Sequence, residues 1–484
     1  MMQLSQAAQV LNGRLIGGDV RFESVSTDSR NIKAGDLFIT LRGEHFDGYE
    51  FAAAALQSGA VAAMVNADSY EAHPAILDPR SSVIVVDNTR LALGRLAAHW
   101  RKQFDIPLVA ITGSNGKTTV KEMLASILRV AAGSADAVLA TKGNLNNDIG
   151  MPLTLLQLNK GHRYAVIEMG MNHLGEIDYL AQLAEPDIAL VNNASGAHLE
   201  GLGSVDAVAQ AKGEIFSGLK HHGTAVINAD DPHAPLWCSL AGANPVLEFG
   251  LNPDADVSGT WYSSKGGLHL DVTAPQGMFA AELQVPGEHN ARNALAASAA
   301  ACALNIPLEK IAAGLESFCG VGGRLQRKNA MHGAKLIDDT YNANPASMRA
   351  AINVLSQVGG KRVLVIGDMG ELGDEAVMLH AELGREARQA GIEKLYALGE
   401  LSGNAVRKFG NGAQHFERIE DLLPVLEKEL DENTTVLVKG SRFMKMERVV
   451  AHFVSDEKGE GGKEKGKASA LTNPSPFPFN PSRD

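Results

Sequence analysis

Cysteine is scarce: only Cys238, Cys302 and Cys319 occur in 484 residues. They stand far apart and without paired spacing, which argues against a disulfide framework and a cysteine-built zinc site. An excess of positive charge is also missing. With 44 Lys and Arg against 56 Asp and Glu, and a net charge of -12, the surface does not suit nucleic acid or an anionic membrane, partners that reward cationic clusters. A local basic pocket for phosphates is still compatible with that balance. No uninterrupted apolar stretch is long enough to span a bilayer, and the opening residues Met1 to Gln6 lack the basic patch and apolar run of an export signal. A cytoplasmic, unexported monomer is expected, with no nucleic-acid partner and no membrane insertion.

What is present is a repeating alternation of short apolar runs and helical stretches. Residues 106–112, 164–168, 187–193 and 223–228 are brief and β-rich, the pattern of a mostly parallel α/β sheet. A second series follows Arg324, with strands at 335–339, 362–367, 394–398 and 434–438 and helices at 347–355 and 377–390. It predicts a Rossmann-like α/β domain. Between the two, residues 257–285 alternate Gly, Ser and Thr with aromatics and predict an antiparallel excursion at the edge of the central domain. Helical runs at 48–59 and 90–104 and strand-like runs at 60–65 and 83–86 predict a small N-terminal α/β domain. From Asp456 onward the chain is too poor in apolar residues to offset its ordering entropy. The expected architecture is therefore three α/β domains, 1–88, 89–319 and 320–455, followed by a disordered tail at 456–484.

The densest chemical signal is Thr112-Gly113-Ser114-Asn115-Gly116-Lys117-Thr118-Thr119, between a predicted strand and a predicted helix at 119–130. Glycines let backbone N–H groups turn inward around phosphate oxygens. Lys117 adds positive charge, Thr118 offers a hydroxyl to Mg²⁺, and the helix N-terminus favours an anion. Only two residues separate Gly113 from Gly116, so this is a shortened phosphate loop. Glu168 ends a predicted strand at the same carboxyl edge and is a candidate Mg²⁺ ligand. His198 follows the next strand and could also bind metal. Read alone, Glu168 is more often a solvated carboxylate, His198 an ordinary loop histidine and Lys212 a solvated helix lysine.

Further motifs follow in order: Glu168-Met169-Gly170, Asn192 to Leu199, Ala211-Lys212-Gly213-Glu214, Gly287 to Asn293, Gly323-Arg324 and Asp338 to Pro345. Together with the loop they resemble the ordered motifs of the Mur ligases. The resemblance implies an ADP-forming amide ligase: the ATP γ-phosphate passes to a substrate carboxylate, and an amine then attacks the acyl phosphate. It implies that Lys117 and Thr118 hold phosphates and a first Mg²⁺, that Glu168 and His198 serve a metal nearer the reacting carboxylate, and that Lys212 is carbamylated. Asn290 and Asn293 match positions near the adenine and phosphates. Arg324 and Asp339, or Asp338 in its place, would reach the nucleotide from the C-terminal domain, so that catalysis needs domain closure.

The N-terminal Thr27-Asp28-Ser29-Arg30 and the segment around His45 resemble the family's domain for a UDP-linked muramoyl peptide. Thr141, Asn144, Asn146 and Asn147 resemble the segment lining that sugar nucleotide, and Asn344 joins the substrate-binding set. Gly367 to Gly373 with His380, and Lys439 to Glu447, resemble the branch that adds a D-alanyl-D-alanine dipeptide. The Asp-Asn-Pro-Arg motif of the diaminopimelate-adding branch is absent. The expected substrates are ATP, UDP-N-acetylmuramoyl-tripeptide and D-alanyl-D-alanine. A diaminopimelate- or lysine-adding ligase, folylpolyglutamate synthase and a P-loop switch or motor stand as alternatives.

Overall fold

The computed structural model of the chain describes residues 1–43, 46–196, 199–264 and 267–454. The anticipated tail, His45 and His198 lie outside the described residues. In the N-terminal part, Asp36–Ile39, Ala62–Asn66 and Val83–Val86 are buried along their whole length, as strands covered on both faces must be. They form the middle of a five-stranded sheet with Arg14–Ile16 and Ser24–Ser26 at its edges, parallel except for the first pair. The helix expected at 48–59 is split. Asp47 accepts the Tyr49 N–H and starts a 3₁₀ turn, Gly48–Phe51, which runs into the helix Ala52–Gln57.

The central sheet has nine strands. Leu108–Thr112 lies between Ile188–Val191 and Tyr164–Glu168, and Val138–Ala140 closes that edge. On the other side Thr224–Asn228 and Val246–Gly250 continue the parallel arrangement to Val257–Ser264. The chain first adds Val138–Ala140 and Tyr164–Glu168 on one side of Leu108–Thr112 and then crosses to the other with Ile188–Val191, so this strand marks a topological switch point, where ligands enter open α/β sheets. The antiparallel excursion is present: Val257–Ser264, Gly267–Ala274 and Gly277–Leu283 form a meander at the edge. The edge strand Val138–Ala140 and the interior strand Val246–Gly250 were not anticipated.

Helices Lys117–Ala132 and Glu288–Ala303 cover one face of this sheet with an apolar core that includes Val120, Leu124 and Leu295. The other face shares its core with the N-terminal part. One cluster runs from Leu4 and Leu11 through Leu37, Met64, Leu93 and Leu96 to Ile167 and Trp237. Helix Thr89–Arg101 joins the two: Thr89 donates from its N–H to Asn66 Oδ1 at 3.0 Å and from its hydroxyl to Thr40 O at 2.5 Å. The C-terminal sheet, in the order Gln326–Asn329, Lys335–Asp339, Thr434–Lys439, Lys361–Gly367, Lys394–Leu398 and Ala413–Phe416, has its own two cores, one on each face.

Candidate functional site

The strand Leu108–Thr112 is wholly buried, and the chain leaves it through Gly113 to enter the helix Lys117–Ala132. Gly116, the N-cap, has φ 80°, and a Cβ there would collide with Asn293 Oδ1 and Asn192 Nδ2. Only glycine fits that turn. The loop is braced by asparagines from neighbouring strand ends. Asn115 N–H donates to Asn193 Oδ1 at 2.8 Å, Asn192 Nδ2 donates to Asn115 O at 2.9 Å, and Asn228 Nδ2 donates to Asn192 O at 2.8 Å. Ser114 N–H donates to Asn193 O at 2.9 Å, and Ser195 N–H to Ser114 Oγ at 3.0 Å.

Lys117 Nζ folds back on the loop and donates to Gly113 O at 2.6 Å. Burial lowers its pKa and the Arg324 charge adds to the shift, while Glu168 opposes it. Glu168, 2% exposed, accepts the Thr118 hydroxyl at 2.9 Å and Asn146 Nδ2 at 2.8 Å. Its own N–H donates to Thr141 Oγ1 at 2.9 Å. Lys121, fully buried one helical turn beyond Lys117, donates to Thr141 O at 2.5 Å and so supports this cluster from behind.

The C-terminal part closes over the loop. Arg324 Nη2 donates to Thr118 Oγ1 at 2.9 Å, its guanidinium lies 4.3 Å from the Tyr341 ring centroid, and Asn344 Nδ2 donates to Asn115 Oδ1 at 2.8 Å. Arg324 Nε is buried and lacks a hydrogen-bond partner among the described residues, a donor suited to an anion at the mouth of the loop. The adjacent aspartates separate cleanly. Asp339 pairs with Lys439 at 2.7 Å and accepts the Leu325 N–H, and burial raises its pKa in spite of Lys439. Asp338 is engaged by Lys328 and Thr340 instead.

Lys212 lies in the last turn of helix Val205–Gly213 and is 1% exposed. The solvated reading of it is therefore wrong. Burial, with the charge of Lys117 added, pushes its pKa well below 10.5. No carboxylate pairs with it among the described residues.

These groups open into a cleft of about 1640 Å³ bounded by all three sheets. Ser29, Arg30, Ser114, Asn115, Gly116, Lys117, Thr119, Asn144, Asn146, Asn147, Glu168, Asn290, Asn293, Arg324, Asp339 and Asn344 line it. Gly113, Thr118, Thr141 and Lys212 adjoin these residues in sequence or by hydrogen bond without lining the cleft themselves, and the Thr141 hydroxyl oxygen accepts the Glu168 N–H. Arg30 forms an ion pair with Asp28 at 2.8 Å, and its hydrogen bond holds that carboxyl down to about 2. Exposed Phe46 and Phe51 border the cleft at the N-terminal end and exposed Phe443 at the other. Sequence reading overlooked Lys121, Asn228, Tyr341 and the Arg292–Asp230 ion pair. For Asn228 the available signal was the recurrence of asparagine at strand ends, as at Asn192 and Asn193.

Among the described residues no group of three or more His, Cys, Asp or Glu could hold a metal. The Thr118 hydroxyl and Glu168 carboxylate nevertheless fit one Mg²⁺, which takes few protein ligands and completes its shell with phosphate oxygens and water.

A short phosphate loop at a switch point, roofed by a second α/β domain that supplies an arginine, is an arrangement suited to using ATP. The chain belongs to the Mur ligase family: models of the Mur ligase family catalytic domain, the Mur ligase middle domain and the Mur ligase glutamate ligase domain match residues 21–101, 111–301 and 323–442. Within the family it is 43% identical over 451 residues to the UDP-N-acetylmuramoyl-tripeptide--D-alanyl-D-alanine ligase of Escherichia coli (strain K12), covering 92% of this chain and 97% of the relative. Among solved structures, a crystal structure of MurF from Acinetobacter baumannii is similar with a TM-score of 0.84 at 37% identity, covering 93% of this chain and 97% of that one. MurF ligase from Thermotoga maritima in complex with ADP gives 0.78 at 27%, covering 89% and 96%.

Proposed function

We infer that the chain joins D-alanyl-D-alanine to UDP-N-acetylmuramoyl-tripeptide at the expense of ATP, forming the pentapeptide precursor of bacterial peptidoglycan. The observation that carries this reading is the continuity of one cleft from Ser29 and Arg30, past Lys117 and Glu168, to Arg324, Ser441 and Arg442. A sugar nucleotide can lie along it with its peptide carboxylate at the phosphate loop. The proposed division is a substrate domain at 1–88, an ATP domain at 89–319 and a ligase domain at 320–455.

A carboxylate is a poor electrophile. Its oxygen attacks the γ-phosphorus and ADP departs; the dipeptide amine then attacks the carbonyl carbon of the acyl phosphate, forming the amide bond as inorganic phosphate leaves and the amine gives up a proton. Lys117 and Arg324 balance the charge that spreads over the transferring phosphoryl group. Thr118 and Glu168 would hold Mg²⁺, with His198 and a carbamate on Lys212 completing the metal sites; the metal neutralises phosphate charge when bound. A neutral amine is the form that adds to CO₂, so the lowered pKa of Lys212 supports the carbamate, whose negative charge suits a cation site. Asn290 and Asn293 flank the nucleotide, and the roof formed by Arg324 and Asn344 keeps water from the acyl phosphate. The cysteines are all free, and among the described residues no helix is long and apolar enough to cross a membrane. We propose a cytoplasmic monomer, its free cysteines suiting a reducing compartment.

Purified enzyme with ATP, Mg²⁺ and UDP-N-acetylmuramoyl-tripeptide is expected to release ADP and phosphate only when D-alanyl-D-alanine is added. Turnover with a single amino acid in its place would assign a different acceptor, and rapid turnover without any acceptor would point to a switch or motor.

A further inference from the structure

Asp231, just after the strand Thr224–Asn228, is buried and uses both carboxylate oxygens. Oδ2 accepts the Ala194 N–H at 2.9 Å, while Oδ1 accepts the His233 N–H at 2.9 Å and faces His233 Nδ1 at 3.0 Å. Ala194 stands between Asn193 and Ser195, whose polar atoms brace Ser114 and Asn115. The far side of the same ring reaches a different element. His233 Nε2 lies 3.0 Å from Asp206 Oδ1, in the first turn of Val205–Gly213, the helix that carries Lys212.

An ionised carboxylate only accepts, and a neutral imidazole has a single N–H. Both contacts are hydrogen bonds only when the ring carries two protons. We propose that His233 is a positioning residue of the ATP site: as an imidazolium it ties the support of the phosphate loop, through Asp231 and Ala194, to the helix that presents Lys212, through Asp206.

Burial alone would lower the pKa of the ring, but its hydrogen bonds to Asp206 and Asp231, with their charges, outweigh this and raise it above 6.5. Those two carboxylates are the charged groups acting on it among the described residues; Trp237, whose ring centroid is 6.1 Å away, carries no charge. Because the folded-state value is raised, the link is complete below the ordinary histidine pKa and is lost as pH rises through the raised one. Asp206, with its side chain 93% exposed, is the end released. Asp231 retains its bonds to the backbone N–H groups of His233 and Ala194.

The inference rests on the reading of Lys212 as a group of the site, which the activity of Lys212→Ala tests separately. The full-length enzyme is assayed for ADP release from pH 6 to 9, with kcat and KM for ATP resolved. The parent is expected to lose about fivefold in kcat/KM for ATP as the link opens, the scale of one partly exposed ion pair. His233→Ala and Asp206→Asn should start at that lower level, lack the pH step and show no further loss when combined. His233→Arg, permanently charged and with several donors, should restore activity and abolish the step. Superimposable pH profiles of parent and Asp206→Asn, or additive losses in the double variant, would overturn the proposal. Asp206 is exposed, so its variant carries the test even if His233→Ala fails to fold. Full activity of Lys212→Ala alongside a step that Asp206→Asn removes would sink the role of Lys212 while keeping the tie to the loop.

Discussion

Lys117→Ala is expected to reduce the rate of ADP release by about 10²–10³-fold or more, the loss that follows removal of one preorganised charge-stabilising donor. The side chain stands at the start of Lys117–Ala132 and donates to Gly113 O within the loop itself, so its ammonium is held where a phosphate chain would pass. The effect should be felt mainly in kcat, because charge on the transferring group is greatest in the transition state. Stability should change little or rise, since the variant no longer buries an ammonium whose pKa burial has lowered. Steady-state kinetics beside a thermal melt decides the matter: a variant within threefold of the parent rate would remove Lys117 from the mechanism.

The Lys212 variant separates function from stability even more sharply. Lys212→Ala is expected to lose about 10²-fold or more in turnover, with partial recovery in formate or acetate if a carboxylate can occupy the place of the carbamate. Burial lowers the Lys212 pKa first, and Lys117 adds to it. The unfolded chain therefore binds this proton more tightly than the folded one, so the unmodified amine costs stability at every pH below about 10.5 and the cost fades as pH rises toward that value. Lys212→Met should accordingly melt higher than unmodified parent while turning over far more slowly. A fully active Lys212→Ala would refute the assignment. Activity lost together with stability, and not restored by any short carboxylic acid, would leave Lys212 only a packing role.

The parts of this molecule legible in the sequence are those whose cause is local. The strand Leu108–Thr112, the two glycines and the helix from Lys117 announce themselves within a dozen residues, because each step needs a particular backbone conformation. The parallel strands on either side of the site read equally well, since continuous apolar runs flanked by helices have few other homes. Lys212 was invisible to pattern. In a helix it looks solvated, yet at the end of Val205–Gly213 it is buried and close enough to Lys117 to feel its charge. The asparagine brace is hidden for the same reason: Asn192 meets Asn293 across 101 positions, a separation that no window of sequence spans. Thr141, matched by resemblance to the segment lining the sugar nucleotide, accepts the Glu168 N–H on its hydroxyl oxygen and Lys121 Nζ on its carbonyl, contacts that no local pattern announces. The split at Gly48–Phe51 was missed because an Asp47 side-chain bond, not apolar spacing, sets it.

The apolar cluster that runs from Leu4 through Leu93 and Leu96 to Trp237 has an implication for how the polypeptide can be divided. The N-terminal sheet and the central sheet are separate in hydrogen bonding yet share one interior, so a cut between them would strip the inner face of Thr89–Arg101 and leave oil-like surface on both fragments. The C-terminal sheet carries complete cores on its own two faces and meets the rest through polar contacts such as Arg324 with Thr118 and Asn344 with Asn115. In its packing the chain thus has two bodies: a single anvil made of two sheets, and one hammer.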